Sequence, residues 1–293
     1  MLEILLLSLL LARPATAGGA PLATVVNASG DVRVARAGKR LPAEVGLALQ
    51  TGDVIATKEK SSAWLVYRSG RVHKLGPNKR ETLREQGDKK PARGKVASIL
   101  HRLGLFGSPE TGRLGNLGGG IRPGRQQQFF ILAPRRSYVR HPIPAIRWTP
   151  VKKASLYRVK VASIGKDLLS REVKQPALDL DASATKLPRG QLYFVTVEAR
   201  SGDRVLASDQ TTFTVASDQA QADLDRIAGE LKQGFAQDDF SYRLVLAELY
   251  LRKTFYAEAL TTLHELHRKR PKSAWLKQRI DSLNRIVGLP IGR

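Results

Sequence analysis

The chain has no cysteine. That excludes disulfides, thiolate metal sites, a cysteine nucleophile and a lipid-bearing cysteine behind a leader. Acid is scarce as well: 26 Asp+Glu stand against 49 Lys+Arg, a formal charge of +23. Aromatic residues make up 6%, too few to interleave with the cations as a base-stacking nucleic-acid surface requires. After the first dozen residues no apolar run reaches the roughly 18 residues needed to cross a bilayer. No Gly-x-Ser-x-Gly elbow is present. Gly118, Gly119 and Gly120 precede Arg122, but no Lys-Ser/Thr follows and no strand leads directly into a helix, so a phosphate loop is not written there. No cofactor is implied.

The shortage of acid is concentrated in the first half. Residues 18–150 carry 24 Lys+Arg against 8 Asp+Glu, residues 151–216 carry 11 against 7, and residues 217–293 carry 13 against 10. A field of this kind draws anionic surfaces or polymers without choosing among them. Which polyanions are within reach depends on the leader. An apolar core runs from Leu5 to Leu11, followed by Arg13, Pro14 and an A-x-A site at Ala15, Thr16 and Ala17. The stretch is too short to span and reads as a signal peptide over residues 1–17. Its n-region is irregular, with Glu3 and no cation, and a buried N-terminal helix is the alternative. The expectation is a chain cleaved after Ala17, exported to the periplasm and soluble.

Residues 24–85 are written as strand, turn, strand. Val32, Arg33 and Val34 alternate after Gly30-Asp31; Val54, Ile55, Ala56 and Thr57 follow Gly52-Asp53; Trp64, Leu65, Val66 and Tyr67 are followed by Ser69-Gly70 and by Val72 to Leu75. Such spacing predicts a small all-β domain. At about 60 residues it buries too little surface to be secure alone, so packing against another part of the chain is expected. Gly30, Val32, Val34, Leu49, Gly52, Asp53, Ile55, Thr57, Gly70 and Leu75 resemble the FecR domain of bacterial envelope proteins, with Ser69 in place of the usual Asp. The resemblance implies an extracytoplasmic β domain without chemistry, and a possible link to signal relay toward a sigma factor.

Residues 86–128 read as a basic, glycine-rich linker. Within it Val96, Ile99, Leu100 and Leu103 have helical spacing, which predicts a short amphipathic helix over residues 95–103. Lys89, Lys90, Arg93, Lys95, Arg102, Arg113, Arg122 and Arg125 are the candidate polyanion contacts of this stretch.

Residues 129–216 return to strand. Leu156, Arg158 and Lys160 alternate with Tyr157, Val159 and Val161, one face of a half-buried strand. Trp148, Tyr157 and the corner Leu187-x-x-Gly190-x-x-Tyr193 resemble a fibronectin type III-like sandwich. That resemblance implies that Trp148 and Tyr157 fill the core and that the Tyr193 hydroxyl ties the corner to nearby backbone. Residues 217–293 are helical in period. Leu246, Ala247, Tyr250, Ala259, Leu263 and Pro271 resemble a tetratricopeptide repeat, with Arg243 where the pattern favours Trp. Residues 272–287 are expected to form a capping helix with Trp275, Ile280, Leu283 and Ile286 inward. One repeat cannot bury its own face.

His264 and His267 lie three apart with Glu265 between, a nominal metal-ligand spacing. Two ligands do not make a site, and a solvated basic face with Arg268, Lys269 and Arg270 is the plainer reading. His73, His101 and His141 sit among cations with no carboxylate to orient them. Asp179 and Asp181 share a strand face, and Asp238 and Asp239 sit at a helix start, where acids favour the dipole. No catalytic constellation or metal site emerges. The sequence thus predicts a mixed fold, mainly β in its first two domains and all-α at the end. Its expected role is a non-enzymatic envelope scaffold, neither membrane-spanning nor nucleic-acid binding. Tyr250, Tyr256, His264 and His267 would meet a protein partner, while the basic half meets an anionic envelope polymer or lipid head groups. A FecR-type regulator is the second reading.

Overall fold

The computed structural model describes residues 21–84, 94–103, 129–142, 144–180 and 187–291. The first domain contains β1 (Ala23–Ser29), β2 (Val32–Arg36), β3 (Lys39–Pro42), β4 (Ala48–Leu49), β5 (Val54–Thr57), β6 (Ser62–Tyr67), β7 (Val72–Leu75) and β8 (Arg80–Thr82). They form two antiparallel four-stranded sheets, in the orders β4-β1-β6-β7 and β3-β2-β5-β8. The alternation in β2 turns Val32 and Val34 inward and Arg33 outward, because successive side chains of a strand point to opposite faces. Val25, Val34, Leu49, Ile55, Leu65 and Leu83 close the space between the sheets. Each contributes roughly 1.5–3 kcal/mol through burial.

The β4-β1-β6-β7 sheet is apolar on its second face as well. Val26 and Val66 there belong to a different core, shared with Ile99 and Leu100 of α1 (Lys95–Leu103) and with the C-terminal helices. Helix α1 thus occupies the predicted residues, and part of the expected linker is built into the body. Gly70, at φ 85°, permits this docking: a Cβ there would lie 1.9 Å from the Ala97 carbonyl oxygen.

The second domain is a sandwich made from β9 (Ile131–Ala133), β10 (Ser137–Val139), β11 (Ala145–Trp148), β12 (Leu156–Ser163), β13 (Lys166–Val173), β14 (Ala177–Asp179), β15 (Leu192–Ser201) and β16 (Arg204–Val215). Its sheets run β14-β11-β9 and β10-β16-β15-β12-β13, with β10 joining β16 in parallel. Trp148 is buried with its ring centroid 5.4 Å from that of Tyr157. The Tyr193 hydroxyl donates to the Pro188 carbonyl at 2.7 Å. Both features match the sequence reading.

Four helices follow: α2 (Asp218–Gly234), α3 (Asp239–Arg252), α4 (Tyr256–Lys269) and α5 (Ala274–Val287). Ser217, Asp238 and Ser273 cap α2, α3 and α5 by accepting a backbone N–H three residues on. The apolar stripes of α2 to α5 meet in the shared core through Leu224, Leu231, Leu244, Leu263 and Leu283. In α5 the expected residues face inward: Ile280 and Leu283 are buried together with Leu276 and Arg279, and half-buried Trp275 and Ile286 pack against the same core. Trp275 also covers Gly46, where any Cβ would stand 2.1 Å from the indole. The class is therefore mixed, β first and α last, as the sequence predicts.

Candidate functional site

The helices contact both β domains, and several buried polar side chains sit at those joints. The N-terminus of α4 has Phe255 at its cap position and no side-chain cap of its own. Ser137 of β10 supplies one: its Oγ accepts the N–H of Tyr256 at 2.9 Å and that of Ala257 at 3.4 Å. The N–H of Tyr138 in turn donates to the Thr254 carbonyl at 2.9 Å. At the far end of the bundle, Arg135 donates from Nε to the Val287 carbonyl at the last turn of α5 and pairs with Asp209 at 2.6 Å. A cation at a helix C-terminus also favours the macrodipole. From the first domain, Asn27 donates to both carboxylate oxygens of the α3 cap Asp238 and accepts from Arg270. Three helix ends are finished or held by residues of the β domains.

Beside Ser137 lies a cleft of about 340 Å³ between sandwich and α4, lined by Pro134, Val139, Arg140, His141, Pro144 and Glu258 among others. Arg140 is its hub. Its guanidinium donates to Asp225 of α2 and, at 3.3 Å, to the Tyr250 hydroxyl of α3, while its N–H reaches Glu258 of α4 at 3.4 Å. Arg189 donates to the carbonyl of Arg140 at 3.1 Å and to that of Ala216 at 3.0 Å. Glu258 is pushed above the ordinary glutamate value by burial, against the opposing pull of backbone N–H groups and Arg140. Its Oε2 and the Arg140 Nε are buried without a partner among the described residues. Apolar walls with a few convergent polar groups are the usual make-up of a small-ligand pocket.

The residues singled out from sequence are dispersed. Tyr250 and Tyr256 are buried, 8% and 5% exposed, and packed within the chain's own core rather than offered to a partner. His264 is exposed and His267 half-buried on α4. Of the adjacent cations, Lys269 pairs with Asp239 at 3.5 Å and Arg270 reaches the Ala28 carbonyl at 3.3 Å, so the run is partly spent on holding α4 against α3 and β1. Asp239 also binds Arg243, and these partners hold its carboxyl below the ordinary value although burial opposes them. Lys95 and Arg102 are exposed on α1. Lys89, Lys90, Arg93, Arg113, Arg122, Arg125 and Asp181 lie outside the described residues. Among the described residues no group of three or more His, Asp or Glu is placed to hold a metal, and no helix is long and apolar enough to cross a membrane. The cap-giving Ser137 and Arg135 carried no sequence signal beyond a serine and an arginine beside a short strand.

No family model matches the chain, and no curated protein matches it. Among solved structures, the fn3 domain of the human collagen alpha-1(XX) chain is 15% identical with a TM-score of 0.25, over 34% of this chain and 95% of that one. A two-domain fibronectin type III segment of chicken tenascin is 14% identical with a TM-score of 0.23, over 67% and 95%. The fibronectin(III)-like modules of Clostridium thermocellum CbhA are 12% identical with a TM-score of 0.21, over 70% and 84%. The likeness is to fibronectin type III-like β-sandwich domains and concerns the fold alone.

Proposed function

We propose that the protein is a non-enzymatic scaffold of the cell envelope, exported after cleavage at Ala17, whose basic first half contacts an anionic envelope component. One observation carries the reading. In the first domain the acids are largely committed to local contacts: Asp31 pairs with Arg33, Asp53 with Arg36, and Glu81 meets the Tyr67 hydroxyl and the His73 ring, a carboxylate partner that the sequence does not lead one to expect for His73. Lys39, Arg40, Lys58, Lys60, Lys79, Arg80 and Arg84 are all exposed and make no ion pair among the described residues. That surplus is fully available to a polyanion. The helices lock both β domains into one body, which is what a scaffold needs; a protein partner would meet the outer side of α4, where His264 and Arg268 are exposed. The FecR-type regulatory reading draws support from Gly30, Gly52 and Gly70, which hold positive φ at the turns where that family places glycine.

The test is fractionation of the native cells with mass determination of the N-terminus, followed by co-sedimentation of the mature chain with polyanions at low and at roughly 0.15 M salt. Exposed charges are screened over about 8 Å at that ionic strength, so true binding weakens with salt. An intact Met1 in the cytosolic fraction would remove the envelope assignment. For the regulatory reading, deletion should change transcription from a sigma-factor reporter; an unchanged reporter removes it.

A further inference from the structure

The two sheets of the first domain have unlike outer faces. That of β4-β1-β6-β7 is covered by α1 and the helical unit through Val26, Val66 and half-buried Trp64 and Val72. The outer face of β3-β2-β5-β8 belongs to no core. The register places its side chains in two rows. Pro42, Arg33, Ala56 and Arg80 are paired across the four strands in one row, and Arg40, Ala35, Val54 and Thr82 in the next. Cross-strand partners share a face, so all eight stand on this surface, and all three charges among them are positive. Arg40 lies on edge strand β3, Arg33 one strand in, and Arg80 on the opposite edge β8. With strands about 4.8 Å apart, the track crosses roughly 14 Å of sheet. Between the arginines the floor is small and smooth. Lys58, just past the end of β5 and exposed, extends the track. At its margin Asp31 is held by Arg33 at 2.6 Å, whereas Arg40, Lys58 and Arg80 have no ion pair among the described residues.

We propose that this sheet face seats an anionic polysaccharide, its acid groups lying over Arg40, Arg33 and Arg80. The inference rests on the polyanion reading above and gives it a place and a ligand class. The spread of the cations along a line matches repeated acid groups on one chain rather than a single compact anion. The floor carries no aromatic ring on which a base could stack. Nor does it present a large apolar side chain to anchor in a bilayer, as interfacial membrane binding needs. Guanidinium groups bind carboxylate or phosphate in forked fashion, so arginine suits this task better than lysine.

The probe is polygalacturonate, bound by the full mature chain at low and at roughly 0.15 M salt. Arg40→Gln with Arg80→Gln removes two exposed, unpaired cations and should leave the melting temperature in place. Affinity should fall at least about tenfold and the salt dependence should flatten, since both arise from those charges. Lys95→Gln with Arg102→Gln on α1 tests the rival contacts that the sequence offers, and exposed Lys166→Gln with Lys174→Gln on the sandwich should bind as the native chain does. If the chain binds polygalacturonate and only the α1 variant loses it, the sheet-face assignment is overturned and the polyanion reading stands. If phosphatidylglycerol vesicles or duplex DNA bind as tightly and depend on the same two arginines, the polysaccharide class is overturned. No binding to any of the three at low salt removes both this inference and the polyanion reading.

Discussion

The Ser137 hydroxyl accepts the backbone N–H of Tyr256 at 2.9 Å although 119 positions separate the two residues. A helix end leaves its first N–H groups without partners, and an oxygen at the cap position normally comes from the residue just before the helix. Here Phe255 cannot supply one, and a strand of the sandwich does. The sandwich and α4 therefore stabilise each other at a site buried from water, where Ser137 is 4% exposed.

Ser137→Ala should cost about 1–2 kcal/mol, because it strips the cap and leaves a buried N–H unpaired. Denaturant unfolding of the whole chain measures it. A midpoint equal to that of the native protein would mean that α4 is capped in some other way in solution.

Arg279 on α5 and Glu248 on α3 form a forked pair in the bundle interior, with Nε to Oε1 at 2.7 Å and the side chains 9% and 0% exposed. Removing either partner strands a buried charge. Glu248→Ala or Arg279→Ala is expected to destabilise by about 3–5 kcal/mol, while Glu248→Leu combined with Arg279→Met should be close to neutral or better. Unfolding of the singles and the double gives the comparison. Additive losses in the double would show that the pair contributes more than mutual neutralisation.

Glu258 gives the stability a pH dependence. Burial raises its carboxyl, so the folded chain holds this proton more tightly than the unfolded chain does. Stability contributed by the neutral form is complete below the ordinary glutamate value, about pH 4, and is lost as pH rises through the folded value. Glu258→Gln keeps the neutral form at every pH. The variant should match the native chain near about pH 4 and exceed its stability near neutrality. Parallel stability curves for the two proteins would show that Glu258 ionises as freely in the fold as outside it.

Within the sandwich, Tyr193→Phe removes the bond to Pro188 and should cost about 1–2 kcal/mol. Trp148→Ala empties a site against Tyr157 and should cost about 3–5 kcal/mol. Thermal melts rank the two. Were Trp148→Ala neutral, the ring would not be the core of residues 131–215.

Local chemistry was enough for the elements themselves. Turn glycines and period-two alternation mark β2, β5 and β6, helical spacing marks residues 95–103, and the Tyr193 corner closes on Pro188 because both ends of that bond lie five residues apart. These interactions are short in sequence, so residue order alone determines them. Other features required the tertiary structure. Tyr250 and Tyr256 have the right spacing for a repeat, yet whether such a face stays open or is covered depends on what packs there, and the chain's own sandwich and first sheet cover it. Ser137 and Arg135 become caps only because β10 arrives at the ends of α4 and α5. Arg40, Arg33 and Arg80 line up only once three strand registers are set, since each register shifts a side chain to the other face by a single residue. Hydrophobic periodicity states which face of an element is buried. It does not state against which distant element, and every contact that joins these modules is of that second kind.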